Sequence, residues 1–140
     1  MSDYDLQRFV DAQDPVWSAV RSELKEGRKR THWMWFVFPQ LAGLGLSATA
    51  QRYALADLTE AQLYVEHEVL GPRLHQAAAL VEKVDGRSVA EIFGYPDDLK
   101  LHSSITLFAE AAPTDPIFGK ILQKYFGGKP DEKTLDLLDH

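Results

Sequence analysis

Apolar side chains recur along the chain every three or four positions, the period at which residues share one face of an α-helix. Leu6, Phe9 and Val10 predict a short helix over 5–12. Asp14 can cap, and Pro15 can start, a second helix that sets Val16, Val20 and Leu24 on one face with Trp17 beside them. Gly27 is its expected stop. Ser47 predicts a helix to about Ala56. Thr59 and Gln62 stand at capping-box spacing and predict another that begins at Glu60. Gly71-Pro72 reads as an interruption, followed by an amphipathic helix over 72–84 with Leu74, Ala77, Ala78, Val81 and Val84 inward. Ser88 and Glu91 form a second capping-box pair before Ile92 and Phe93. A longer helix is expected from Asp97 or Asp98 to about Ala112, burying Leu101, Ile105, Leu107 and Phe108. Asp115-Pro116 starts a helix that runs to Phe126, and Pro130-Asp131 starts a last short one carrying Leu135, Leu137 and Leu138.

Alternating β-branched runs and Asn-Gly turns are nearly absent. The expected fold is all-α: one compact domain over residues 1–140, built of about eight short helices.

One stretch departs from this pattern. His32-Trp33-Met34-Trp35-Phe36-Val37-Phe38-Pro39-Gln40 concentrates indoles and phenyl rings between the cationic run Arg28-Lys29-Arg30 and the loop Gly43-Leu44-Gly45. Each ring can bury roughly 150–250 Å², so the stretch is expected at the centre of the core. Pro39 pushes Phe38 away from helix, which predicts an extended or irregular backbone over 35–38. His32 and Gln40 give it polar ends.

Composition narrows the class of function. The chain is 45% apolar and 26% charged, as in ordinary soluble globular proteins. It has no cysteine, which excludes disulfides, thiolate nucleophiles and cysteine-held zinc or iron–sulfur groups. Its acidic start, Met1-Ser2-Asp3-Tyr4-Asp5, is unlike a secretory signal, and no apolar run approaches a membrane span. A cytoplasmic protein with no membrane partner is expected. The net charge of −6 argues against bulk nucleic-acid binding, which phosphate neutralisation drives. The chain lacks a glycine-rich phosphate loop, a His-Glu-x-x-His pair and a Gly-x-Ser-x-Gly elbow. No metal site and no cofactor are expected.

Two constellations remain. The first runs from Lys29 to Gln40: aromatic walls from Trp33 and Trp35, a cation at the mouth, and His32 and Gln40 to fix orientation. Ligand sites are mostly apolar with a few convergent polar groups, and core packing gives the same signature. The second is Lys100-Leu101-His102-Ser103-Ser104-Ile105-Thr106. Hydroxyls are poor helix-interior residues because they compete for backbone hydrogen bonds, and such local violations are expected at functional sites. Lys100 with Ser103 and Ser104 can clamp a phosphate or carboxylate. The same residues also fit a Ser–Lys nucleophile pair, or hydroxyls bonded back to helix carbonyls.

At these stretches the chain resembles a bacterial and fungal family of unknown function, sometimes labelled calpastatin-like. The matching residues are the aromatic stretch itself, Gly43-Leu44-Gly45-Leu46-Ser47, Leu70-Gly71-Pro72-Arg73-Leu74, Ile92-Phe93-Gly94, Lys100-Leu101 with Ser103-Ser104, Thr106-Leu107-Phe108 and Phe126-Gly127-Gly128. The resemblance spans nearly the whole chain and implies a mainly helical domain. It implies no activity, and this chain lacks the polar, disordered composition of a protease-inhibitor repeat. The expected function is binding of a small anionic, nucleotide- or ADP-ribose-like molecule between the 32–40 segment and the 100–106 helix, with hydrolysis open. Aromatics would stack a base while Lys29, Arg73 or Lys100 hold phosphate. The alternative is a protein-interaction module with no small-molecule site.

Overall fold

Five helices start where a short polar side chain takes up a free backbone N–H, four of them at the residues the sequence marks. Ser47 accepts from Ala50 N at 3.1 Å and starts α4 (Ala48–Arg52). Ser88 and Glu91 close a reciprocal capping box on α7 (Val89–Phe93). Asp115 caps α9 (Pro116–Phe126), whose first position is proline, and Asp131 caps α10 (Glu132–Leu138). Gly27, at φ 76°, and Gly127, at φ 63°, take the left-handed conformation that closes α2 (Trp17–Glu26) and α9. These features match the sequence expectation.

The computed structural model describes residues 4–139, and among them it has ten α-helices and no strand. The all-α expectation stands. Several boundaries are corrected. Asp57, rather than Thr59, caps α5 (Leu58–Glu66), accepting from Glu60 N at 2.9 Å. A carboxylate is the stronger acceptor, and it leaves Thr59 inside the first turn. Asp14 ends α1 (Gln7–Gln13) instead of starting α2. The stretch expected to be extended contains one helical turn, α3 (Met34–Val37). Pro39 constrains only Phe38 before it, so the turn closes on Trp33 and Met34 carbonyls and ends at Phe38.

Gly71-Pro72 does not interrupt a helix. α6 (Leu70–Lys83) runs through both residues. Pro72 falls in the first turn, where its missing N–H would have no helical partner. His67 Nδ1 accepts from Val69 N and Leu70 N at 3.0 and 3.2 Å, satisfying two of the free donors there. Gly71 has a different reason: a Cβ at that position would lie 2.1 Å from the Val65 carbonyl oxygen. The glycine lets α6 start directly against the end of α5.

α8 (Asp97–Ala111) is the central helix. It buries Leu101 and every residue from 103 to 108, and it packs against α5, α7, α9 and α10. A helix enclosed on nearly every side must be apolar on nearly every side, which is why no simple stripe describes it. α6 packs on α2, α5 and α9, and α1 packs on α3. Leu41 and Leu55 form an isolated parallel bridge that ties the chain after α3 to the chain before α5.

Gly71→Ala tests the close approach. Alanine in a helix is worth up to about 1 kcal/mol over glycine, but the collision with Val65 should cost about 1–3 kcal/mol and dominate. Urea unfolding should show net destabilisation. A variant as stable as the parent would contradict this packing.

Candidate functional site

The site is assembled from a buried acid. Glu23 lies on the inward face of α2 beside Val20 and Leu24 and is 5% exposed. Its carboxylate accepts from Arg30 N (2.6 Å), Thr31 N (2.9 Å), Thr31 Oγ1 (2.7 Å) and the Trp33 indole Nε1 (3.0 Å). Burial alone would raise its pKa; the hydrogen bonds from Thr31, Arg30 and Trp33 outweigh burial and hold it below the ordinary carboxylate value. Lys29 N donates to Ile92 O at 2.7 Å, so the turn is fixed from a second side. Trp33 is thereby driven into the core, with Phe93 at 6.4 Å edge-on and Phe38 at 6.4 Å tilted.

The other end of the aromatic turn is held as firmly. Gln13, wholly buried, donates Nε2 to Phe36 O at 2.6 Å and to the Tyr64 hydroxyl at 2.9 Å. Burial pushes the Tyr64 phenol far above its usual pKa, so it stays a neutral donor to the same Phe36 carbonyl. Between these anchors Trp35 is left half-buried at the surface.

The first turn of α8 faces it. Asp97 receives the Lys29 ammonium at 2.8 Å and the Lys100 ammonium at 3.5 Å. Lys100 Nζ also lies 4.8 Å from the Trp35 ring centroid, within cation–π range. Lys29, His32, Trp35, Tyr95, Asp97 and Lys100 line a depression of about 380 Å³. Arg30 is at the rim, paired with Glu26 at 2.9 Å. Two ammoniums against one carboxylate leave a positive excess inside the depression.

A second depression of about 290 Å³ adjoins the first and shares Pro96 and Lys100 with it. Gln40, Leu44, Gly45, Leu99, Ser103, Asp131 and Lys133 complete its lining. The two stretches singled out in the sequence therefore do meet, across Lys100. Lys29, His32, Trp35 and Lys100 share one concavity; Gln40 and Ser103 share the next. Trp33 and Ser104 are enclosed in the core and line neither. Arg73 is elsewhere, bound to Asp14 at 2.8 Å and Gln13 at 3.3 Å and lying over the Trp17 ring.

The hydroxyl cluster of α8 has a structural explanation. Thr106 donates to His102 O and accepts from Asp131 N, both at 2.8 Å. Ser103 donates to Asp131 Oδ2 at 3.1 Å. Both hydroxyls thus dock the start of α10 onto α8. Ser104 Oγ, fully buried, has no hydrogen-bond partner among the described residues.

Sequence reasoning did not find Glu23 or Tyr95. The signal for Glu23 was present: an acid three residues after Val20 and next to Leu24 lies on the face that must be buried. Tyr95 follows a glycine and precedes a proline, so its local signal is that of a turn. Among the described residues no group of His, Asp and Glu could hold a metal ion, and no helix is long and apolar enough to cross a membrane.

Fold and site together define a helical domain with a cationic, aromatic surface depression. The chain belongs to the family described as "Protein of unknown function (DUF1810)", whose profile matches residues 3–138. It is similar to the conserved hypothetical protein Rv1873 from Mycobacterium tuberculosis, known from a crystal structure at 1.38 Å. The two are 56% identical over 99% of each chain, with a TM-score of 0.97. No curated protein matches.

Two substitutions check this construction. Because Glu23 has a lowered pKa in the fold, its contribution is complete above the ordinary carboxylate range and is lost as pH falls through the lowered value. The stability gap between parent and Glu23→Gln, followed by urea unfolding from about pH 7 to about pH 3, should be widest at the upper end and close at the lower. A gap independent of pH would contradict the charged acceptor. Ser104→Ala removes an unpaired buried hydroxyl and should raise stability by about 1 kcal/mol. A loss of that size in the melt would reveal a hydrogen bond the hydroxyl needs.

Proposed function

We propose that this domain binds a small anionic, nucleotide-like ligand in the depression between the 32–40 segment and the first turn of α8, and that it does so in the cytoplasm. The observation that carries this reading is the convergence of Lys29 and Lys100 on the single carboxylate of Asp97, beside a half-buried indole. Two cations sharing one anion can accept a second. The phosphate would sit at the two ammoniums, and Trp35 and Tyr95 would offer π-faces to a flat base. Tyr95 is 82% exposed, so its ring is free to cover a ligand. His32, in the same lining, is the side chain a hydrolytic variant would draw on as acid or base.

One observation favours a second reading. Leu46, Tyr95 and Leu99 are the large exposed apolar residues among those described. Tyr95 and Leu99 line the two depressions, and Leu46 follows Gly45, which lines the second. An apolar border of this kind also fits a protein-interaction module. In that case small anions would leave the melting temperature unchanged.

Lys100→Met separates the readings. Asp97 would retain Lys29 at the shorter distance, so stability should change by less than about 1 kcal/mol. Affinity for phosphate compounds should fall by about 1.5–3 kcal/mol, the scale of a charge-assisted hydrogen bond. A melt screen of parent and variant over nucleotides, ADP-ribose, sugar phosphates and dicarboxylates measures both. If none of these compounds shifts the parent, the anion site is refuted.

A further inference from the structure

The second depression does not repeat the chemistry of the first. Its charge is less one-sided: Asp131 and Lys133 lie in the same lining and offset one another, and Lys100, shared with the first depression, is the remaining cation. Its hydrogen-bonding groups are only partly used. Asp131 Oδ2 accepts from Ser103, Thr134 N and Thr134 Oγ1, whereas Oδ1 accepts nothing among the described residues. The half-buried Gln40 amide likewise has no hydrogen bond there; only its backbone carbonyl is engaged, by Leu55 N. Leu99, 54% exposed, and Pro96 supply an apolar surface beside these groups. A carboxylate oxygen and a carboxamide beside an aliphatic face suit a neutral, hydroxyl-bearing group. Lys100 borders both depressions, so it stands where the two parts of a ligand would join.

Building on the anion-binding reading above, we infer that the ligand is bipartite: a nucleoside diphosphate sugar or similar phosphodiester, with its phosphates at Lys29 and Lys100 and its neutral polyhydroxy group at Gln40 and Asp131. The base lies with Trp35 and Tyr95, the linkage crosses Lys100, and the sugar rests on Leu99 and Pro96 while its hydroxyls donate to Asp131 Oδ1 and exchange hydrogen bonds with the Gln40 amide. Affinity should then depend on the second group separately from the first.

Titration calorimetry with ADP, ADP-glucose and UDP-glucose tests this on the parent, Gln40→Ala and Lys120→Ala chains. The parent should bind the nucleotide sugars about tenfold more tightly than ADP, the factor that one net neutral hydrogen bond supplies. Gln40→Ala should remove most of that preference with little effect on ADP. Lys120→Ala, an exposed cation of α9 outside both depressions, should keep it. Equal affinity of the parent for ADP and ADP-glucose would overturn the bipartite ligand while leaving the anion site standing. Absence of binding by all three compounds would overturn both. A preference that survives Gln40→Ala would remove Gln40 and the second depression from the assignment.

Discussion

The candidate site depends on the buried carboxylate of Glu23. A turn of six residues with three cationic side chains would not by itself hold one conformation against an aromatic core. Glu23 gives it one by accepting two backbone N–H groups, a hydroxyl and an indole N–H at once. A buried carboxylate is costly unless each of its oxygens is used, and here both are. The same four bonds set where Lys29 leaves the turn and how deep Trp33 goes. Trp35, two residues further along a single helical turn, is then presented outward by geometry rather than by contacts of its own.

The polar device at the far end works on the same principle with neutral groups. Gln13 and Tyr64 converge on the Phe36 carbonyl, which lies at the end of a turn too short to satisfy it. Charge and neutrality are thus divided by place. The charged acceptor stands next to the surface depression, where its partners are three N–H groups and a hydroxyl, and the neutral pair stands in the deeper core. The Lys29–Asp97–Lys100 triad extends the charged side across to α8 and leaves it positive on balance. The chain as a whole is acidic, so the sign of this depression runs against that of the chain.

Much of the fold was legible because caps are local. Ser47, Ser88 with Glu91, Asp115-Pro116, Asp131, Gly27 and Gly127 act within one turn of themselves, and spacing alone identifies them. The misread positions depend on something far along the chain or in competition. Gly71 looks like a breaker unless one knows that the Val65 carbonyl presses against it. Thr59 loses to a carboxylate two residues earlier. Within the site, the segments that meet were identifiable by their composition, but which member of each pair faces out was not. Trp33 and Trp35 differ in fate because Glu23 reaches only one of them. Ser103 and Ser104 differ because Asp131 reaches only one of them. The excess of hydroxyls in α8 was a true signal, and its cause is the docking of α10.

The central claim is that Trp33 is scaffold and Trp35 is site, two residues apart and separated by one hydrogen bond to Glu23. The indole N–H signals of Trp17, Trp33 and Trp35 in a nitrogen-15 correlation spectrum report on it directly. The Trp33 indole proton should exchange slowly with deuterated solvent, and ADP should shift the Trp35 signal in a saturable way while leaving Trp33 in place. Rapid exchange at Trp33, or a Trp35 signal that does not move at any ADP concentration, would contradict the account.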